Sequence, residues 1–219
     1  MDAARLPLGV DSLDIYLLSG GAERRVGRLW DELQRVDVAG ASLARRVYRT
    51  ENAVFGPTLD TTYSKWPDLR PRAHWSEGRT SAVEVAYRGD SVVGHRSTTL
   101  GTVVPITRRL PRTVTDGASF DLLVRASVLT RGLRLSSTAY LAAADSVALI
   151  SALVTGDEQW RTNLGGEIVN VWVVQMDYAG LASTLWIDKA THALIRQTIR
   201  LAPDITIIFS RPQLTRVGG

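Results

Sequence analysis

The chain has 219 residues, 26 Lys plus Arg against 22 Asp plus Glu, and a formal charge of +4. Hydrophobic residues at 45% and charged residues at 22% exclude a disordered or fibrous chain. No apolar run approaches the ~18 residues of a membrane-spanning helix, so no transmembrane segment is expected, and the lack of cysteine removes disulfides, thiolate metal sites and cysteine nucleophiles.

In chain order, residues 1–11 read as a loose N-terminal segment, and Met1 to Arg5 carry no apolar core of the kind a signal peptide needs. Ser19-Gly20-Gly21-Ala22 reads as a turn. Val26, Leu29, Trp30, Leu33 and Val36 have helical spacing, yet Val38-Ala39-Gly40-Ala41 resembles a hairpin turn leading into Ser42 to Thr50, which favours strand. Pro57 to Ser64 and Arg70 to Glu77 are strand-like. Val83, Val85 and Tyr87 alternate with Ala82, Glu84 and Ala86, as in a half-buried strand. Arg88-Gly89-Asp90-Ser91 then turns into Val92-Val93, which accounts for the Arg-Gly-Asp triplet without an adhesion partner. Two prolines make Pro105 to Pro111 a loop. Phe120, Leu123, Val124 and Val128 have helical spacing, with Asp116 or Ser119 as N-cap and Gly132 just beyond, and predict a helix over 119–130. Leu164-Gly165-Gly166-Glu167 reads as a turn. Ile168 to Met176, Leu181 to Ile187, Ala193 to Leu201 and Ile205 to Phe209 form a meander rich in β-branched and aromatic residues. The expectation is one mainly β domain over 1–219: an open antiparallel half-barrel of about a dozen strands, with one helix plugging or flanking it.

Chemistry-bearing motifs are sparse. Every cationic residue except Lys65 and Lys189 is arginine, spread in pairs (Arg24-Arg25, Arg45-Arg46, Arg70 and Arg72, Arg108-Arg109) that read as solvated surface and not as a nucleic-acid footprint. His74, His95 and His192 are isolated in sequence, and no metal site or cofactor is expected. The glycine pairs lack a P-loop lysine. Gly117-Ala118-Ser119-Phe120-Asp121 lacks the second glycine of a nucleophile elbow, so Ser119 reads as a cap. Asp60, Asp90, Asp177 and Asp188 sit at strand ends, where turns use them. What remains is an apolar and aromatic face: Ile168, Trp172, Val174 and Met176 on one strand, Trp186 on the next, and Ile195, Ile199 and Leu201 on the third. In-register hairpins would bring these to one side, as an ordinary core or as the wall of an apolar site.

Trp186-Ile187-Asp188-Lys189-Ala190-Thr191-His192-Ala193-Leu194-Ile195-Arg196 resembles a hairpin of exported bacterial β-proteins. Leu59-Asp60-Thr61 with Asp68-Leu69-Arg70-Pro71 is similar to their early hairpin, and 119–126 to their single helix. The group is a family of uncharacterised periplasmic or secreted proteins related in fold to the Lol-type lipoprotein carriers. The resemblance covers most of 40–210. It implies a bent half-barrel and a periplasmic or extracellular location, the leader being absent from this sequence, with a cytoplasmic protein as the alternative. It carries over no catalytic residue.

The leading expectation is a non-enzymatic protein that binds an apolar small molecule, lipid or acyl chain on the concave face. The ligand-binding candidates are Trp172, Met176, Trp186, Ile195 and Ile199, with Trp75 and Tyr87 as outer ones. The alternatives are an interaction module working through sheet edges or an accessory subunit of an envelope assembly, and an enzyme acting on an apolar substrate with polar groups such as Gln175, Asn170 or His74. The sequence leaves the oligomeric state open.

Overall fold

The computed structural model describes residues 2–111, 114–162 and 166–217. Most of them lie in strands: β1 (Gly9–Ser19), β2 (Ala22–Val38), β3 (Ala41–Asn52), β4 (Thr58–Lys65), β5 (Pro71–Glu77), β6 (Ser81–Arg88), β7 (Ser91–Thr98), β8 (Val103–Arg109) and β9 (Val114–Asp116). After the short helix α1 (Phe120–Arg125) come β10 (Arg134–Leu141), β11 (Ser146–Thr162), β12 (Ile168–Tyr178), β13 (Leu181–Asp188), β14 (Leu194–Ala202), β15 (Ile205–Ser210) and β16 (Leu214–Arg216). They form one sheet in the order β8-β7-β6-β5-β4-β3-β2-β1-β15-β14-β13-β12-β11-β10-β9, with β16 beside the end of β11. Every pairing is antiparallel except β9 with β10. Among the described residues sixteen strands replace the expected dozen or so.

Tight hairpins set this meander. Ala39-Gly40 and Ala179-Gly180 both have positive φ, the backbone of a two-residue primed turn whose twist suits the flanking strands. The sheet bends until its ends approach each other. Val83, Val85, Val92 and Ile106 from β6–β8 pack on Tyr140 and Ala142 at the end of β10, and Arg108 forks onto Asp145 with two bonds of 3.0 Å. Side chains make this seam; among the described residues β8 and β9 form no ladder.

The main core lies between the concave face and α1. Leu29, Leu33, Val174, Leu185 and Ile187 meet Phe120, Leu122 and Val124 there. The helix is shorter than expected. Asp116 accepts from Ala118 N at 2.8 Å and caps a 3-10 turn (Gly117–Ser119), whereas Ser119 makes no capping bond. At the other end, Ser127 donates from its hydroxyl to Leu123 O at 2.8 Å, a back-bond that competes with helix propagation. Asp2 N donates to Ala126 O at 3.0 Å, and Val128, expected on the apolar stripe, is exposed.

Two further expectations are corrected. The first residues are not loose: Ala3–Arg5 form a 3-10 turn that buries Ala3 and Leu6 under the helix end. Pro105 lies in a strand and not in a loop, because β8 is the terminal strand, where one missing N–H costs no ladder bond on the open side. Residues 9–19 and 134–162 also form strands that no motif had marked. The turn expected at Leu164-Gly165 lies outside the described residues.

Candidate ligand site on the concave face

Strand register places an unusual row on the concave side. Leu33, Arg46, Thr62, His74 and Val85 are successive cross-strand neighbours from β2 to β6, and Asp31, Tyr48, Asp60 and Ser76 form the adjacent row. Polar side chains thus occupy positions that face α1. Arg46 is 4% exposed and uses all five of its N–H groups. It donates to Asp31 at 2.7 and 2.8 Å, to Asp121 of α1 at 2.7 and 3.0 Å, and to Ala118 O at 3.1 Å. Arg125, equally buried, adds a contact of 3.4 Å to Asp31. Burial would raise the Asp31 carboxyl, but the two guanidinium groups hold it below the usual carboxylate range. Two arginines and two aspartates form a neutral, closed network that fastens the helix to the sheet. Arg46 and Arg125 are therefore not the solvated arginines that the sequence suggested.

Beside it stands a second network. The His74 ring faces Asp116 at 3.0 Å through Nδ1 and Asp60 at 3.4 Å through Nε2. Burial alone would lower the imidazolium pKa, but Asp116 and then Asp60 outweigh it and carry it up to about 10. His74 is thus protonated at neutral pH and donates to both carboxylates, leaving no lone pair to act as a base. The Tyr87 hydroxyl also donates to Asp116 at 2.8 Å, and Ser119 Oγ donates to Thr62 Oγ1 at 3.1 Å.

Between these networks and β12–β14 lies a cavity of about 280 Å³, near the lower end of ligand-pocket sizes. One wall is polar, with Tyr48, Asp60 and Thr62; the helix side adds Ala118 and Asp121. The opposite wall is largely apolar, with Met176, Leu181 and Ile199 beside Tyr178. Ser183 and Gln197 close it, Gln197 Nε2 donating to Ser183 Oγ at 3.2 Å. Gly117 lets the 3-10 turn descend onto the site, since a Cβ there would stand 2.6 Å from Tyr178 Oη and 2.7 Å from Leu141 Cδ2.

The sequence candidates separate. Met176 and Ile199 line the cavity. Trp172 shares their face but packs half-buried at the core's edge, with Lys189 Nζ 4.0 Å from its ring centroid. Trp186 and Ile195 lie on the opposite face in a small cluster with Trp160, Val171 and Ala193. There the two indoles meet edge to face at 6.1 Å, both donate to Glu158 Oε2, and Arg196 lies over them. Hairpin register explains Trp186, because the two-residue turn pairs Trp172 with Ile187 and Val173 with Trp186. A bulge explains Ile195, which falls between the Trp186–Arg196 and Ile187–Leu194 pairs and swings outward. Trp75 pairs with Thr61 and Glu84, also on the outer face, and Tyr87 sits in the seam, edge-on to Tyr140 at 6.2 Å.

The other polar candidates also scatter. Asp60 lies inside β4 facing the cavity and does not serve a turn. Asp188 and Asp177 do serve turns, accepting from Ala190 N and Gly180 N at 2.7 Å each. Gln175 falls on the outer face, and Asn170, on the same side of β12 as Trp172, is exposed and bonded to Gln159 Nε2 at 3.0 Å, so neither joins His74. Among the described residues no group of three or more His, Cys, Asp or Glu could hold a metal ion, and no helix is long and apolar enough to cross a membrane.

Residues 31–207 match a family described as "Protein of unknown function (DUF3108)". No curated protein matches the chain. Among solved structures the chain is similar to a β-barrel-like protein of domain of unknown function DUF1849 from Brucella abortus. That likeness has 12% identity and a TM-score of 0.53, and covers 97% of this chain and 100% of that one. At that identity the likeness concerns the fold alone.

Proposed function

Starting from the fact that the chain belongs to the DUF3108 family of unknown function, we propose that it is a non-enzymatic protein that binds an apolar small molecule or acyl chain in the concave-face cavity. The observation that carries this reading is the wall of Met176, Leu181 and Ile199, held open opposite a polar wall beside which Arg46 and Asp121 pair with each other. A filled core would have closed this space, as it does around Leu185 and Ile187. An exported setting and a kinship with the Lol-type carriers belong to the same proposal, supported by the hairpin over 186–196 and the bent sheet.

The test is a homologous series of n-alkanols competing with the neutral fluorophore N-phenyl-1-naphthylamine. Each methylene buried contributes about 0.8 kcal/mol, so affinity should rise about fourfold per carbon and level off once the cavity is full. Ile199→Trp, which places an indole in the space, should abolish the competition. A series with no chain-length dependence, or an unaffected Ile199→Trp variant, defeats the reading. One observation favours a second role, pairing through the sheet edge. Leu100, Val103 and Val104 are 92%, 62% and 51% exposed at the start of the terminal strand β8. Sedimentation showing a concentration-independent monomer would count against it.

A further inference from the structure

Resting on that reading, the charges around the cavity narrow the ligand. The Arg46 guanidinium borders it but has no N–H left over, all five being committed to Asp31, Asp121 and Ala118 O. A carboxylate or phosphate entering the site would find no cationic donor there. Asp121 is likewise consumed by Arg46.

Asp60 differs. Its carboxylate makes one long contact, 3.4 Å to His74 Nε2; its side chain is 25% exposed, and the exposed part borders the cavity. His74 cannot balance both of its neighbours: one imidazolium faces Asp60 and Asp116, so the trio carries one net negative charge. The Tyr178 hydroxyl reports the same field. Burial pushes its pKa above the ordinary phenol range, and the charges that push it further are three carboxylates, Asp116, Asp121 and Asp60. Neither Tyr178 nor Tyr48 makes a side-chain hydrogen bond among the described residues, so both hydroxyl oxygens are open to accept from a ligand.

We propose that the cavity takes an apolar molecule with a protonated amine head, the ammonium against Asp60 and the chain along Met176, Leu181 and Ile199. Three donors on the ammonium match the Asp60 carboxylate and the two phenol oxygens, and the positive charge offsets the uncompensated aspartate.

Octylamine, octanol and octanoate distinguish the heads at constant chain length, by calorimetry at pH 7 and 0.15 M salt, where surface charge is screened beyond about 8 Å. Octylamine should bind at least tenfold more tightly than octanol, about 1.4 kcal/mol, and octanoate at least tenfold more weakly. Asp60→Asn, isosteric and uncharged, should level amine and alcohol. Octanoate binding as well as octylamine, or octylamine no better than octanol, overturns the head-group assignment while the apolar site stands. Failure of all three ligands defeats the site itself. The ranking on the wild-type chain decides the matter even if Asp60→Asn does not fold.

Discussion

Raising the pH from 7 to 9 removes, in part, a proton on which the concave-face network depends. His74 is 6% exposed between Asp116 and Asp60, and its pKa is carried from an ordinary 6.5 up to about 10. A raised folded-state value means that the stabilisation is complete below pH 6.5 and lost as the pH climbs through about 10. Worked from those two values at 1.36 kcal/mol per unit, the contribution is about 4 kcal/mol at pH 7 and falls by roughly 2–3 kcal/mol by pH 9. The window excludes the buried phenols. Tyr48, Tyr87 and Tyr178 are all pushed upward, by burial first, and stay neutral in the folded chain. In the unfolded chain tyrosine ionises only near pH 10. Urea unfolding at pH 7, 8 and 9 reads the slope, and His74→Gln should flatten it. A free energy of unfolding constant from pH 7 to 9 at unchanged m-value, or a His74 imidazole titrating near 6.5 by NMR, would refute the buried imidazolium.

Two other substitutions probe the frame around the cavity. Arg46→Met leaves Asp31 and Asp121 with only Arg125, at 3.4 and 3.7 Å, and should cost 3–5 kcal/mol in urea unfolding, as stranding buried charges does. Arg46→Lys should not restore it, because a point charge cannot bridge two carboxylates bidentately. Trp186→Ala removes the indole that packs on Trp160 and bonds Glu158 on the outer face, with an expected loss of about 3–5 kcal/mol. Octanol affinity of the folded fraction should stay within threefold; a larger change would place Trp186 in the binding wall.

Architecture was legible where turns and alternation agree. Ala39-Gly40 and Gly89-Asp90 marked hairpins, and the β12–β15 meander lies where its β-branched run placed it. Residues 134–162 were legible in principle, since Ile150, Ala152 and Val154 are buried at period two, but their Gly-Asp pair, Gly156-Asp157, lies inside β11 beside a bulge and marks no turn. Which face a residue occupies was not legible by counting along each strand. A two-residue turn pairs odd positions with even ones, so Trp172 and Trp186, both even, lie on opposite sides. Bulges then reverse the parity within single strands: Val154 faces the core while Trp160 of the same strand faces outward, and Ile199 faces the cavity while Ile195 does not. The site itself had a signal of another kind. Register across β3, β4 and β5 makes Arg46, Tyr48, Asp60, Thr62 and His74 inward residues, positions that alternation reserves for apolar side chains in a half-buried sheet. Isolated in sequence, each reads as surface. A buried polar group is stable only with its partners in place, and here those partners lie 40 to 75 residues away on Asp116, Ala118 and Asp121. The candidate site is therefore a property of the pairing register, which turns four ordinary strand residues into one wall of a cavity, with His74 bonded to Asp60 beside it.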